Sequence, residues 1–211
     1  MLFANPFKDR LPTPAEALPG RSAPITQPGP HAVLDSAMAP PFAEGAEQIL
    51  LGMGCFWGAE RLFWQLPGMI TTAVGYAGGI TENPTYEEVC SGRTGHTEVV
   101  LALYDPARLA LDDILQLFWQ EHDPTQGYRQ GNDRGTQYRS ALYCSASQQL
   151  AAAQASAQHY GAALAKAGYA SITTEITGPQ QFFYAEEYHQ QYLHKVPNGY
   201  CGLAGCGVAY R

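Results

Sequence analysis

Apolar positions along the chain fall into two kinds of run. Short continuous runs bounded by glycine, proline or polar turns read as buried strands. Longer stretches with apolar residues three and four apart read as helices. On this basis Gln48–Met53 is a buried strand, and Gly54-Cys55-Phe56-Trp57-Gly58 turns into a helix from about Trp57 to Leu66, ended by Pro67-Gly68. Ile70–Tyr76 is a second strand, stopped by Gly78-Gly79. Pro84 suits the first position of a short helix over Thr85–Cys90. Thr97–Tyr104 is a strongly apolar third strand, and Leu111–Glu121 carries helical periodicity at Ile114, Leu115, Phe118 and Trp119. A polar, glycine-rich loop spans Asp123–Gly135. Tyr138–Cys144 is a fourth strand, and the alanine-rich Ser147–Lys166 is a helix closed by Gly168. Ser171–Ile176 reads as a further strand and Tyr184–Leu193 as a short helix. From Val196 onward the chain is glycine-rich and irregular.

Strands alternating with helices imply helices packed on a sheet. Some neighbouring strands lack a long helix between them, so the sheet is expected to be mixed. The fold class is α+β, a two-layer α/β sandwich. Nine of the 15 prolines lie in the first 45 residues. Proline removes a donor and fixes φ, so this stretch makes little helix or sheet of its own. Residues 1–45 are therefore expected to form either an extended arm that wraps the domain, anchored by Phe3, Phe7 and Phe42, or a disordered tail. Residues 46–211 form the domain proper, with a glycine-rich tail over 196–211.

Composition narrows the function. Hydrophobic residues make up 45% of the 211, enough for a core, and charged residues only 15%, too few for a disordered chain. The net charge of −7 leaves no basic footprint for nucleic acid. No apolar run approaches the ~20 residues of a membrane helix, and no secretory signal is evident. Five cysteines is an odd count in a chain of this size, which argues against a disulfide scaffold and for a reducing, cytoplasmic setting.

Cys55 follows a strand and opens a helix. Free backbone N–H groups and the positive end of the helix dipole favour thiolate over thiol there, which makes Cys55 the best nucleophile candidate in the chain. The bland alternative is a small buried hydrophobe at a strand–helix junction. Phe56 and Trp57 set two apolar faces beside the sulfur.

Gly-Cys-Phe-Trp-Gly-Ala-Glu at residues 54–60 resembles the A-type peptide methionine sulfoxide reductases. Gly75-Tyr76-Ala77-Gly78-Gly79, the run Asn83–Cys90, Gly95-His96-Thr97-Glu98, the run Gly131–Ser140 and Asn198-Gly199-Tyr200-Cys201-Gly202 continue the match in order. The resemblance spans about Glu47 to Val208. It implies a ferredoxin-like core, and it makes Cys55 the nucleophile that attacks the sulfoxide sulfur, with Phe56 and Trp57 as the pocket for the methyl group. It makes Glu98 the acid, Tyr86 and Tyr138 the donors to the sulfoxide oxygen, and Asp133 a residue near the site that orients Tyr138 or its loop. Burial at the start of an apolar strand would raise the Glu98 pKa. Without the resemblance, Glu98 would read as a solvent-facing strand residue, and Asp133 with Asn132 as a simple turn. His189 is left as structural.

The resemblance also implies a second half-reaction. A sulfenic acid on Cys55 condenses with Cys201 to a disulfide, which thioredoxin reduces. Many family members carry a further recycling cysteine a few residues beyond Cys206, where this chain has Ala209. Cys206 is the candidate for that relay, and direct attack of the reductant on Cys55–Cys201 is the alternative. Cys90 and Cys144 are expected to be buried structural thiols. The implied substrates are free methionine sulfoxide and oxidised proteins, the S epimer being the one reduced, with no cofactor or metal and a monomeric unit. Two rivals remain. His189, His194, Cys201 and Cys206 lie within a short span, but their spacing does not fit the usual zinc pairs. A cysteine acyl-transfer enzyme would need a histidine base at Cys55, and His96 is the nearest motif candidate.

Overall fold

The computed structural model describes residues 5–211; Phe3 lies outside them. The strands are β1 (Glu47–Met53), β2 (Met69–Ala77), β3 (Thr97–Tyr104), β4 (Arg129–Gln130), β5 (Asp133–Arg134), β6 (Ser140–Cys144), β7 (Glu175–Thr177) and β8 (Phe183–Tyr184). The helices are α1 (Phe56–Trp64), α2 (Tyr86–Cys90), α3 (Leu111–Glu121), α4 (Ser147–Lys166) and α5 (Tyr192–Lys195). Six strands form one sheet in the order β7-β6-β1-β3-β2-β8, and β4 and β5 form a separate hairpin. The four central strands, β6, β1, β3 and β2, are antiparallel to one another, and β7 joins β6 in parallel, so the sheet is mixed.

Side-chain alternation explains why the central strands are apolar throughout. Ile49, Leu51 and Met53 of β1, with Val100, Ala102 and Tyr104 of β3, share a core with Phe63 of α1, Phe118 and Trp119 of α3 and Tyr160 of α4. The intervening residues, Leu50, Val99, Leu101 and Leu103, face the other side. There no long helix among the described residues covers them. Met38 and Phe42 from the N-terminal segment, with Phe182 and Tyr184, close that face instead. Both faces are dry, so strict alternation of apolar and polar residues disappears.

Residues 5–46 are ordered along the domain. Lys8 Nζ donates to the Cys90 carbonyl at 3.1 Å, Arg21 pairs with Glu88 at 2.6 Å, and Met38 is 1% exposed. Of the expected anchors, Phe7 and Phe42 are half-buried. Proline lowers the entropy lost when such a stretch is ordered.

Several expected elements are corrected. Helix α2 starts at Tyr86, one residue after its cap, so Pro84 precedes the cap rather than opening the helix. Thr85 and Glu88 close a reciprocal capping box at 3.3 and 2.8 Å. The strand expected from Tyr138 begins at Ser140, because Thr136–Tyr138 forms a turn of 3-10 helix. Only Glu175 and Ile176 of the expected strand over Ser171–Ile176 pair, at the sheet edge, where β7 runs on to Thr177. The expected helix over Tyr184–Leu193 is instead the end of β8, a run of turns, and α5. That run has no helical apolar face, and its side chains bond to the domain in place of one another.

Candidate active site

Gly54 makes the turn out of β1 at φ +90°, where a Cβ would stand 2.6 Å from the Gln130 side chain. Cys55 then caps α1, with its thiol buried at the helix mouth. Glu98 shares the sheet face of Val100 and Ala102, by the alternation already described, and so points beneath α1. It is 1% exposed, and its Oε2 accepts the Phe56 N–H at 3.1 Å. Burial raises its pKa to about 8, with the Phe56 N–H pulling the other way.

The thiol departs from the sequence expectation. Burial, and then the nearby Glu98, push the Cys55 pKa up, and the Trp57 N–H only partly offsets this. The helix mouth alone suggests a resting thiolate; the desolvated pocket holds a thiol. The same two causes, burial first and Glu98 second, raise the phenols of Tyr86 and Tyr138, which therefore keep their protons at neutral pH. The capping box holds Tyr86 at the start of α2, and the 3-10 turn holds Tyr138.

Phe56 is buried and Trp57 half-buried. The Trp57 indole stacks on Tyr192 at 4.0 Å and donates to His189 Nδ1 at 3.0 Å. The His189 ring also lies 5.1 Å from Phe56 and 4.6 Å from Tyr86. Its pKa is lowered to about 4 by burial, so the ring is neutral.

Asp133 is half-buried at the start of β5 and accepts the Tyr200 hydroxyl at 3.1 Å. Its side-chain hydrogen bond thus runs to the tail, while its backbone pairs with Gln130 in the loop. Cys201, next to Tyr200, is exposed. It sits over Gly58, where a Cβ would come within 2.8 Å of its sulfur. Gly58 leaves the space that lets this thiol reach the first turn of α1. Cys206 lies apart from the group. Its thiol faces the His122 carbonyl at 4.0 Å, and burial followed by the charge of Asp123 raises its pKa to about 12. All five cysteines are free. Cys144 is fully buried, as expected, but Cys90 is only half-buried and lies beside the Tyr86 phenol. His96 engages both ring nitrogens with backbone, accepting from Gly79 N–H at 3.0 Å and donating to the Thr81 carbonyl at 2.7 Å, so it is no base for Cys55.

A buried thiol, a buried acid, two neutral phenols and an aromatic wall suit reduction of a small polar group on an apolar chain. Comparison with known proteins decides the family. A profile described as peptide methionine sulfoxide reductase matches residues 47–206. The chain belongs to the peptide methionine sulfoxide reductase family. It is an oxidoreductase of the A type. The peptide methionine sulfoxide reductase MsrA of Rhodospirillum centenum is 58% identical over 208 residues, covering 99% of this chain and 94% of its own. That of Azotobacter vinelandii is 61% identical over 198 residues, covering 94% of this chain and 92% of its own. Among solved structures, methionine sulfoxide reductase A of Corynebacterium diphtheriae superposes with a TM-score of 0.86 at 48% identity, over 94% of this chain and 99% of that one.

These matches take in much of the N-terminal segment, which the motifs alone did not cover. Sequence reasoning also passed over His189 and Tyr192 as parts of the aromatic wall. The signal was present in the run Tyr188-His189-Gln190-Gln191-Tyr192, whose polar and aromatic residues suit no buried helix face. Among the described residues no helix is long and apolar enough to cross a membrane.

Proposed function

We propose that this reductase acts on the S epimer of methionine sulfoxide, free and in proteins, through a sulfenic acid on Cys55. Phe56 and Trp57 hold the substrate methyl group, which turns the oxygen of only one epimer toward Glu98, Tyr86 and Tyr138. Glu98 protonates that oxygen while the phenols donate to it. The Cys55 sulfur attacks the substrate sulfur, and its proton passes to the Glu98 carboxylate. Methionine leaves, and Cys55 carries the oxygen as S–OH. This route needs no resting thiolate, in keeping with the raised pKa of the thiol. The observation that carries the reading is a fully buried carboxyl with a pKa of about 8 against the N–H that follows Cys55.

The Cys201 thiol then attacks Cys55 S–OH, forming the disulfide and releasing water. Asp133 holds Tyr200 while the tail waits over Gly58. Cys206 exchanges into the disulfide, leaving Cys55 as thiol and Cys201–Cys206 bridged. The dithiol of thioredoxin reduces that bridge and is itself oxidised. The yeast protein Mxr1 has been solved in complex with Trx2, which supports such a partner. Five free thiols suit a reducing, cytoplasmic setting, and we infer a monomer that works without a cofactor. The order β6-β1-β3-β2, all antiparallel, with α1 and α3 as crossovers, supports a ferredoxin-like core.

Mass mapping after one equivalent of methionine S-sulfoxide, without reductant, tests the sequence of thiols. The expected product is one methionine with Cys55–Cys201 or Cys201–Cys206 bridged. A Cys55→Ser protein that forms methionine at the parental rate overturns the assignment.

A further inference from the structure

A chain of buried polar groups runs from the N-terminal segment to the aromatic wall, and none of its members takes part in the chemistry above. It starts at His31, which is 1% exposed. Nδ1 of His31 accepts the N–H groups of Val33 and Leu34 at 3.1 and 3.0 Å, so the ring proton sits on Nε2. That N–H donates to Thr72 Oγ1 at 2.9 Å, and the Thr72 hydroxyl donates onward to Glu60 Oε1 at 3.0 Å. Glu60 is fully buried on α1, three residues beyond Trp57. Its other contacts all go to one residue. Gln191 Nε2 donates to Oε1 at 2.7 Å, and Gln191 N–H donates to Oε2 at 2.8 Å. The N-terminal segment closes the loop a second time, since Ala32 N–H donates to Gln191 Oε1 at 3.2 Å.

Gln191 has φ +46°, a left-handed conformation that a side chain resists unless its surroundings enforce it. Here Glu60 and Ala32 enforce it. The residues on either side of that turn grip Trp57: His189 accepts the indole N–H at 3.0 Å, and Tyr192 stacks on the indole at 4.0 Å. A core needs none of this. Apolar side chains of similar volume would fill the same space without a buried carboxylate to satisfy. What the polar chain adds is a single orientation for one aromatic ring.

We propose that His31 and Glu60 are positioning residues for the substrate pocket, and that residues 31–38 of the N-terminal segment, acting through Thr72 and Gln191, hold Trp57 in its substrate-binding orientation. The consequence for substrate affinity rests on the reading of Trp57 as a wall of the methyl pocket; the control of Trp57 by the N-terminal segment does not. Met38 supports the same turn, receiving Gln191 Nε2 at its sulfur at 3.2 Å.

The test uses the full chain carrying Thr72→Val, which keeps the shape and removes the hydroxyl, beside Thr72→Ser, which keeps the hydroxyl. His31→Ala and His31→Gln form a second pair should Thr72→Val not fold. Two quantities are read: the indole N–H resonance of Trp57 in nitrogen-15-labelled protein, and the KM and saturating rate of a single methionine-forming turnover. In Thr72→Val and His31→Ala the Trp57 signal shifts or broadens, KM rises about fivefold and the saturating rate stays within about twofold. Thr72→Ser restores both. A signal that moves without a change in KM upholds the positioning and removes Trp57 from the methyl pocket. A Trp57 resonance unmoved in folded Thr72→Val and His31→Ala overturns the proposal.

Discussion

The two ends of the chain are both irregular, yet they are attached to the domain in opposite ways. The N-terminal segment is proline-rich, and from Asn5 onward it bonds at several points to the elements around the site. Lys8 and Arg21 brace α2, which carries Tyr86, and the Phe7 carbonyl accepts the Thr136 hydroxyl at 3.2 Å beside Tyr138. His31 reaches Glu60 beneath α1 through Thr72. The C-terminal tail is glycine-rich and is hydrogen-bonded at two places, with a short span between them whose Leu203 packs beside Gly58. Tyr200 is tied to Asp133. From Gly205 onward the chain is fastened to α3 and α4, where Tyr169 donates to the Cys206 carbonyl at 2.8 Å, Tyr160 to the Val208 carbonyl at 3.1 Å and Tyr210 N–H to Gln120 at 3.1 Å. Proline makes ordering cheap in conformational entropy, and glycine makes it dear. One end is suited to hold a site rigid, and the other to carry a thiol between partners.

The sharpest way to separate the two ends is to disable the tail's chemistry alone. Cys201→Ser still forms one methionine per enzyme, and its thioredoxin-coupled turnover falls more than about 100-fold. A burst assay with and without thioredoxin reads both numbers. Neither end performs the proton transfer, so Glu98→Gln slows the first turnover by about 10²-fold or more at neutral pH while the substrate still binds. In the parent protein Glu98 keeps its proton up to about pH 8 and loses it above, so the first-turnover rate falls as pH climbs through that value. Stopped-time methionine assays across the pH range show the limb in the parent and its absence in the variant.

Disturbing the N-terminal segment acts on stability first. Met38 is 1% exposed on the sheet face that no long helix covers, so Met38→Ala is expected to cost about 2–5 kcal/mol in urea unfolding. The smallest effect belongs to Lys8, whose positive charge opposes the burial that raises the Glu98 pKa. Lys8→Met moves the alkaline limb of the first-turnover rate to higher pH and leaves the tail's recycling untouched. An unmoved limb would separate Lys8 from the acid.

Much of the fold was legible in the pattern of apolar residues. The boundaries of β3, α3 and α4 coincide with the runs Thr97–Tyr104, Leu111–Glu121 and Ser147–Lys166. These elements have strong periodicity or continuous burial, and each is long enough for local preference to decide. The errors fall where tertiary contacts replace periodicity. Tyr184–Leu193 has the composition of a short helix, but Gln190 bonds to the Val74 backbone at 2.8 and 2.9 Å and Gln191 to Glu60, which unwinds it. Asp133 was legible as a residue near the site, but its partner, Tyr200, lies 67 positions away.

The sequence by itself determined the long strands and helices, and through its motifs the family and the candidate residues for the chemistry. Helical and strand periodicity are short-range properties, and a motif travels with its residues. Only the tertiary structure decided that Cys55 rests as a thiol, that the N-terminal segment braces the site, and that a left-handed glutamine orients Trp57. Desolvation and partner choice depend on everything that packs around a group, and no local stretch of chain contains that information.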